Sequence, residues 1–223
     1  MVQTLKNDDV VFVFPSSDPS VYEKYGATLV ASSGTHAPDH FGKLGRLGVR
    51  ASGTVSCLTA GSHDIHAHTD LAEACARDIE GAPIAVPWLH TASFQGAPAY
   101  FGCINHPAFR AHVRRKVCDA VSGGASGLHV DEHLSSAYAA LHCGGCFCDR
   151  CISGFSTYLS QRSTPGLCSE AKVSSFEGFD YKSFVKNMAP TRSQYLALNA
   201  GIPLRREFID YQLACAASNV ASW

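Results

Sequence analysis

Apolar residues in this chain come in short runs rather than in strict alternation, and a strand apolar on both sides needs cover on both faces of its sheet. Val10-Val-Phe-Val-Phe14, closed by Pro15 and the Ser16-Ser-Asp-Pro19 cluster, reads as a fully buried strand followed by a turn. Thr28-Leu-Val-Ala-Ser32 repeats the pattern. Val49-Arg-Ala-Ser-Gly-Thr-Val55 is a third candidate, weakened by Gly53; Pro83-Ile-Ala-Val-Pro-Trp88 is a fourth and Ala125–Glu132 a fifth. Helical signals lie between them. Asp70, with Glu73 at capping-box spacing and Gly81 as a stop, predicts a helix over Leu71–Glu80. Pro107 suits a first helical position, and Phe109, Val113, Val117 and Val121 recur every fourth residue up to Gly123-Gly124. Further helices are expected over Phe147–Leu159, with Ile152, Phe155 and Leu159 on one face, and after Pro203, with Leu204, Phe208, Tyr211 and Cys215 in line. Ser163–Phe179 reads as a loop.

Alternation of strand and helix implies right-handed βαβ units and a parallel sheet, open or closed as a (β/α)₈ barrel. About five strands are visible, and a barrel usually takes about 250 residues with roughly 200 as a floor. The 223 residues therefore read as one α/β domain over 1–223, an incomplete or minimal TIM barrel with parallel strands. Such a sheet has open edges. The Pro203–Ser222 helix is expected to cover one, burying Leu204, Phe208 and Tyr211 against the sheet in its own subunit or across a homodimer axis.

Composition narrows the function. Hydrophobic residues at 46% and charged residues at 17% permit a sizeable core, and 18 basic against 19 acidic residues provide no bulk charge for nucleic acid. No apolar run reaches the length of a membrane span, and the opening residues carry no apolar leader, so a cytoplasmic protein in a reducing compartment is expected. No Gly-x-Ser-x-Gly elbow or Walker loop occurs.

Of ten cysteines, four fall in Cys143-Gly-Gly-Cys146-Phe-Cys148-Asp-Arg-Cys151, where thiolates in one turn-rich loop can converge on a tetrahedral ion, zinc before iron–sulfur. Small buried hydrophobes are the alternative reading. Four ligands in so short a loop are crowded, which leaves room for one from elsewhere in the chain.

Taken together, Cys103-Ile-Asn-His-Pro-Ala-Phe-Arg110, the strand Gly127-Leu-His-Val-Asp-Glu132 and Cys146-x-Cys148-x-x-Cys151-x-x-x-Phe155-x-x-Tyr158-Leu159 resemble the middle of family-42-type β-galactosidases and related glycosyl hydrolase-like TIM-barrel proteins. The resemblance covers about residues 100–159. It implies that Cys103, Cys146, Cys148 and Cys151 hold a structural zinc, that Cys143 is a spare thiol and that Glu132 is a catalytic acid/base. Where the family has Asn before that Glu, this chain has Asp131. The family's second carboxylate comes from a late strand, beyond those seen here.

Asp131 and Glu132 are adjacent, and adjacent strand residues point to opposite faces, so only a bulge or the strand's end lets both serve one site. His129 and His133 flank the pair and could tune it. Sugar-ring stacking is open to Trp88 and Tyr100, with His90 as a pocket liner; core filling is the commoner fate of such aromatics. His112 is expected on a helix surface. A second constellation, His63-Asp-Ile-His66-Ala-His68-Thr-Asp70-Leu71, matches the opening of the His-x-His-x-Asp-His motif of metallo-β-lactamase-fold lactonases, with Leu71 in place of the last His. His66, His68 and Asp70 would then hold a second divalent metal in an ester or lactone hydrolase of the N-acyl-homoserine-lactone type. The candidate functions are thus a glycosyl hydrolase-like enzyme, that lactonase, and a non-catalytic carbohydrate-binding barrel.

Overall fold

A computed structural model describes residues 5–34, 37–61, 71–89, 99–198 and 201–223. It divides into two compact units, Met1–Cys57 with Ala111–Glu132 and Trp223, and Leu58–Arg110 with His133–Ser222.

The first unit is built on four parallel strands in the order β1-β2-β3-β6: β1 (Val11–Phe12), β2 (Leu29–Val30), β3 (Arg50–Ser56) and β6 (Gly127–Asp131). This is the mixed α/β, parallel-sheet architecture expected, and among the described residues the sheet is open rather than closed into a barrel. Helices α1 (Ser20–Tyr25) and α2 (Pro38–Arg46) make the first two crossovers, and α3 (Pro107–Ser122) precedes β6. Tyr22, Val30, Phe41, Leu44, Val49 and Ala51 form the apolar cluster of this unit. Gly53 has a packing reason: a Cβ there would lie 2.5 Å from the Ala120 Cβ, so α3 sits directly on β3.

Burial on β3 alternates, with Ala51, Gly53 and Val55 buried and Arg50, Ser52, Thr54 and Ser56 half-buried. Register places Gly127 beside Ser52, His129 beside Thr54 and Asp131 beside Ser56. One face of β3 and β6 is therefore small and apolar under α3, and the other carries hydroxyls, an imidazole and a carboxylate. At the amino end of this sheet Asp9 pairs with the Arg50 guanidinium and also accepts from the Lys6 backbone N–H (2.8 Å) and the Thr28 hydroxyl (2.8 Å). These partners, Arg50 foremost, hold the Asp9 carboxyl far below the usual range.

Four sequence expectations change. Val10–Phe14 is no buried strand: only Val11–Phe12 pairs, on the sheet's edge, and Val10, Val11, Val13 and Phe14 are exposed. Leu71–Glu80 is not a helix. Leu71, Ala74, Cys75, Ala76 and Ile79 are all buried, and the backbone bonds sideways, Ala76 N–H to the Phe101 carbonyl (2.7 Å) and the Ala74 carbonyl to Cys103 N–H (2.7 Å). Pro83–Trp88 forms single antiparallel bridges, Pro83 with Arg77 and Ala85 with Tyr100, instead of a parallel strand, because its polar groups are shared between two flanking segments. His112 is buried, not on a helix surface.

The second unit contains an antiparallel pair, β4 (Thr59–Gly61) with β5 (Ala99–Phe101), and a set of helices. These are α4 (Asp149–Gln161), α5 (Pro165–Ala171) within the expected loop, α6 (Tyr181–Lys186), α7 (Arg192–Leu198) and α8 (Arg205–Ala221). Thr164 and Asp180 cap α5 and α6 by accepting from Leu167 and Ser183 N–H, short-range signals that apolar periodicity does not register. The α8 residues Phe208 and Tyr211, with Leu204 just before them, are buried as expected, but in a helical cluster with Phe147, Phe155, Tyr181 and Tyr195, not against a sheet. Among the described residues no helix is long and apolar enough to cross a membrane.

Two outcomes follow from this packing. Gly53→Val should destabilise the protein by about 1–3 kcal/mol through overpacking against Ala120, measured by urea denaturation. Because the Asp9 pKa is lowered on folding, its contribution is complete above the ordinary value of 3.8 and is lost as pH falls below it toward the native value. Melting temperatures of wild type and Asp9→Asn should therefore differ at neutral pH and converge in strong acid; a constant gap would contradict this.

Candidate functional site

Cys103, Cys146, Cys148 and Cys151 bring their sulfurs within 4.8 Å of one another. Cys103 follows β5; Cys146 and Cys148 enter through the loop before α4, and Cys151 from the helix itself. That loop is shaped by the two glycines of Cys143-Gly-Gly-Cys146. Gly144 takes a left-handed φ of 77°, and a Cβ on Gly145 would lie 2.5 Å from the Arg77 carbonyl oxygen. The same carbonyl accepts from Phe147 N–H at 2.7 Å, so the loop is seated against Arg77. Cys148 is the N-cap of α4 and Cys151 lies in its first turn, where the helix dipole favours a thiolate.

Cys103 Sγ lies 3.5 Å from both Cys148 Sγ and Cys151 Sγ. A tetrahedral ion with metal–sulfur bonds of about 2.3 Å holds its sulfurs about 3.8 Å apart, so the cluster has the right size for one metal ion. Its surroundings also suit thiolates. Arg77 N–H donates to Cys146 Sγ at 3.4 Å and the Asn105 amide to Cys151 Sγ at 3.3 Å. Cys103, Cys146 and Cys151 are buried; Cys148 is partly exposed. Hydrogen bonds from Cys103, Cys146 and Cys151 hold the Cys148 thiol low, whereas hydrogen bonding to its neighbours pushes Cys103 up and burial pushes Cys151 up. A divalent ion bound by these thiols would displace their protons. Cys143 is buried outside the cluster, its thiol raised by burial, and its carbonyl accepts from Arg192 Nε at 2.8 Å.

The carboxylates lie in the first unit, at the carboxyl end of the parallel strands. β6 stops at Asp131, and Glu132 adopts φ 53°, the left-handed region that a residue with a Cβ seldom enters. The turn leaves Glu132 Oε2 at 3.5 Å from the Ser56 hydroxyl, on the strand neighbour that is also in register with Asp131. Both carboxylates therefore border Ser56. Along the same face Thr54 Oγ1 lies 2.8 Å from Ser32 Oγ and accepts from Gly34 N–H at 3.3 Å. His129, beside Thr54, encloses its Nδ1 without a hydrogen-bond partner among the described residues. Burial pushes the Cys57 thiol up to about 12, so it offers no nucleophile at neutral pH. Asp131 and His133 are exposed, and Glu132 is half-buried.

Of the stacking candidates, Trp88 is 46% exposed and packs edge-on against Tyr138 (5.1 Å between ring centroids) and Phe101; Tyr100 is half-buried on β5. His90 and the alternative metal set His66, His68 and Asp70 lie outside the described residues. Sequence reasoning missed Asn105 and the Arg77 backbone as thiolate donors. Asn105, two residues after Cys103, carried no motif of its own. Asn105→Leu should weaken metal binding about 10- to 100-fold, as outer-shell losses do, measured by competition with a chromophoric chelator; unaltered affinity would remove Asn105 from the site.

No family model matches the sequence, and no curated protein matches it. Among solved structures, the chain is similar to the β-galactosidase from Bacillus circulans sp. alkalophilus, at 15% identity and a TM-score of 0.50, over 92% of this chain and 32% of that one. The glycoside hydrolase domain of PelA from Pseudomonas aeruginosa aligns at 17% identity and a TM-score of 0.38, over 59% of this chain and 46% of that one. The chain thus spans between about a third and a half of these structures. The likeness to the β-galactosidase shows a glycoside hydrolase-like fold.

Proposed function

We propose that the chain is a carbohydrate-active hydrolase in which Glu132 is the general acid/base and the four-cysteine cluster holds a structural zinc. The observation that supports it best is the left-handed turn at Glu132, which sets a half-buried carboxylate at the carboxyl end of a parallel strand, beside Asp131 and Ser56. Active sites of (β/α) folds are built at that end of the sheet.

In this reading Glu132 gives its proton to the glycosidic oxygen as the bond to the anomeric carbon breaks. Asp131 acts as the electrostatic partner of the positive charge developing on the sugar, or as its nucleophile. A retaining mechanism needs the two carboxyl groups about 5–5.5 Å apart and an inverting one about 6.5–9.5 Å. His129 and His133 are proposed to tune the pair. Zinc at Cys103, Cys146, Cys148 and Cys151 would have all four positions filled by protein, which suits a structural ion and leaves no open site for substrate.

Glu132→Gln should lower turnover of an activated aryl glycoside by about 10²-fold or more with an unchanged melting temperature. Equal turnover in the two proteins would reject the assignment. Sugar binding without turnover in the wild type would mark a carbohydrate-binding protein instead. Activity on a lactone that is abolished by a chelator and restored by divalent ions would favour the His66, His68 and Asp70 reading.

A further inference from the structure

A cleft of about 340 Å³ opens over Cys148, the one partly exposed member of the sulfur cluster. Its wall carries Arg77, Arg150 and Lys182 against Glu73 and Asp149, with His106 at the side. The charges are not equally available. The Arg77 guanidinium donates to the Gly81 and Ala72 carbonyls and pairs with Glu73 at 3.3 Å. Among the described residues Arg150 and Lys182 are not tied to backbone carbonyls in this way; Asp149 lies beside them on the rim, and the charge of Lys182 also helps to lower the Asp180 carboxyl. The N-terminus of α4, at Cys148 and Asp149, adds about half a positive charge.

A divalent ion in four thiolates carries two negative charges in excess, and a mostly buried dianion is costly without nearby cations. Three of the sulfurs are buried, so compensation from solvent can reach the centre chiefly at Cys148. We propose that the cleft is the solvent-facing port of the metal centre, and that Arg150 and Lys182 are positioning residues supplying the counter-charge of a tetrathiolate dianion. The proposal rests on the four-cysteine metal site. It accounts for cations gathered over the one sulfur that water can reach.

Cobalt(II) is the probe, because its intense sulfur-to-metal absorption reports four-thiolate coordination directly. Wild type, Arg150→Gln, Lys182→Gln and the double variant are titrated with cobalt(II) against a competing chelator at low and high salt. Lys186→Gln, on an exposed residue outside the cleft, is the charge control. The cleft variants should keep the cobalt spectrum, bind about tenfold more weakly per charge removed, and lose much of that difference at high salt. Affinities within twofold of wild type, or an equal loss in Lys186→Gln, would overturn the counter-charge role. Absence of the four-thiolate spectrum in the wild type would instead remove the metal site itself, and the proposal with it.

Discussion

Four cysteine sulfurs within 4.8 Å of one another, three of them buried, are the constraint on which the second unit is organised. Such a cluster is stable only if its protons are shared or replaced by a cation, because buried thiolates repel one another and lack water. Meeting that condition ties the segment after β5 to the loop before α4, forty-three residues further along the chain from Cys103 to Cys146. The tie fixes where α4 begins. From there Ile152, Phe155 and Leu159 enter the aromatic core that Phe208 and Tyr211 of α8 complete. Phe147, between two of the cysteines, stacks on Tyr181 and Phe208, so the loop that carries the sulfurs is itself part of the apolar core. Loss of the sulfur cluster and loss of the helical core would therefore be coupled.

The first unit depends on a different closeness. Gly53 and Ala120 let α3 lie directly on β3, which commits one face of the sheet to helix and leaves the other to Ser52, Thr54, Ser56, His129 and Asp131. The interior of a closed barrel is usually filled with branched apolar residues. Small hydroxyls and a carboxylate in those positions, converging on the carboxyl end of the strands, are suited to contact water or a polar ligand.

Periodicity revealed the helix Pro107–Ser122, the strand Gly127–Asp131 and the C-terminal helix, since each has a strong local pattern. It misread Leu71–Glu80. Helix spacing and lateral pairing both bury Leu71, Ala74, Cys75 and Ile79, and only the distant partners Phe101 and Cys103 decide between them. Val10–Phe14 failed for a related reason. An apolar run states a preference for cover, and the sheet order, which puts β1 at an edge, is not written in the run. The cysteine spacing pointed to the loop and its four thiols, while the choice of Cys146, Cys148 and Cys151 together with Cys103 came from a resemblance rather than from spacing. Asn105 and the Arg77 N–H were invisible because a thiolate donor needs only one polar hydrogen, which almost any residue can provide.

Asp131 and Glu132 show how one backbone angle changes what a sequence can do. A regular strand would send the two carboxylates to opposite faces, and a site built on both would be impossible. The left-handed turn at Glu132 ends the strand one residue early and leaves its carboxylate near Ser56, the register partner of Asp131. Such a conformation costs of order 1–3 kcal/mol for a residue with a Cβ, a cost that glycine at the same position would avoid. Its presence at a glutamate, at the end of the sheet where parallel-strand folds place their chemistry, is what sets this position apart from an ordinary solvated strand end.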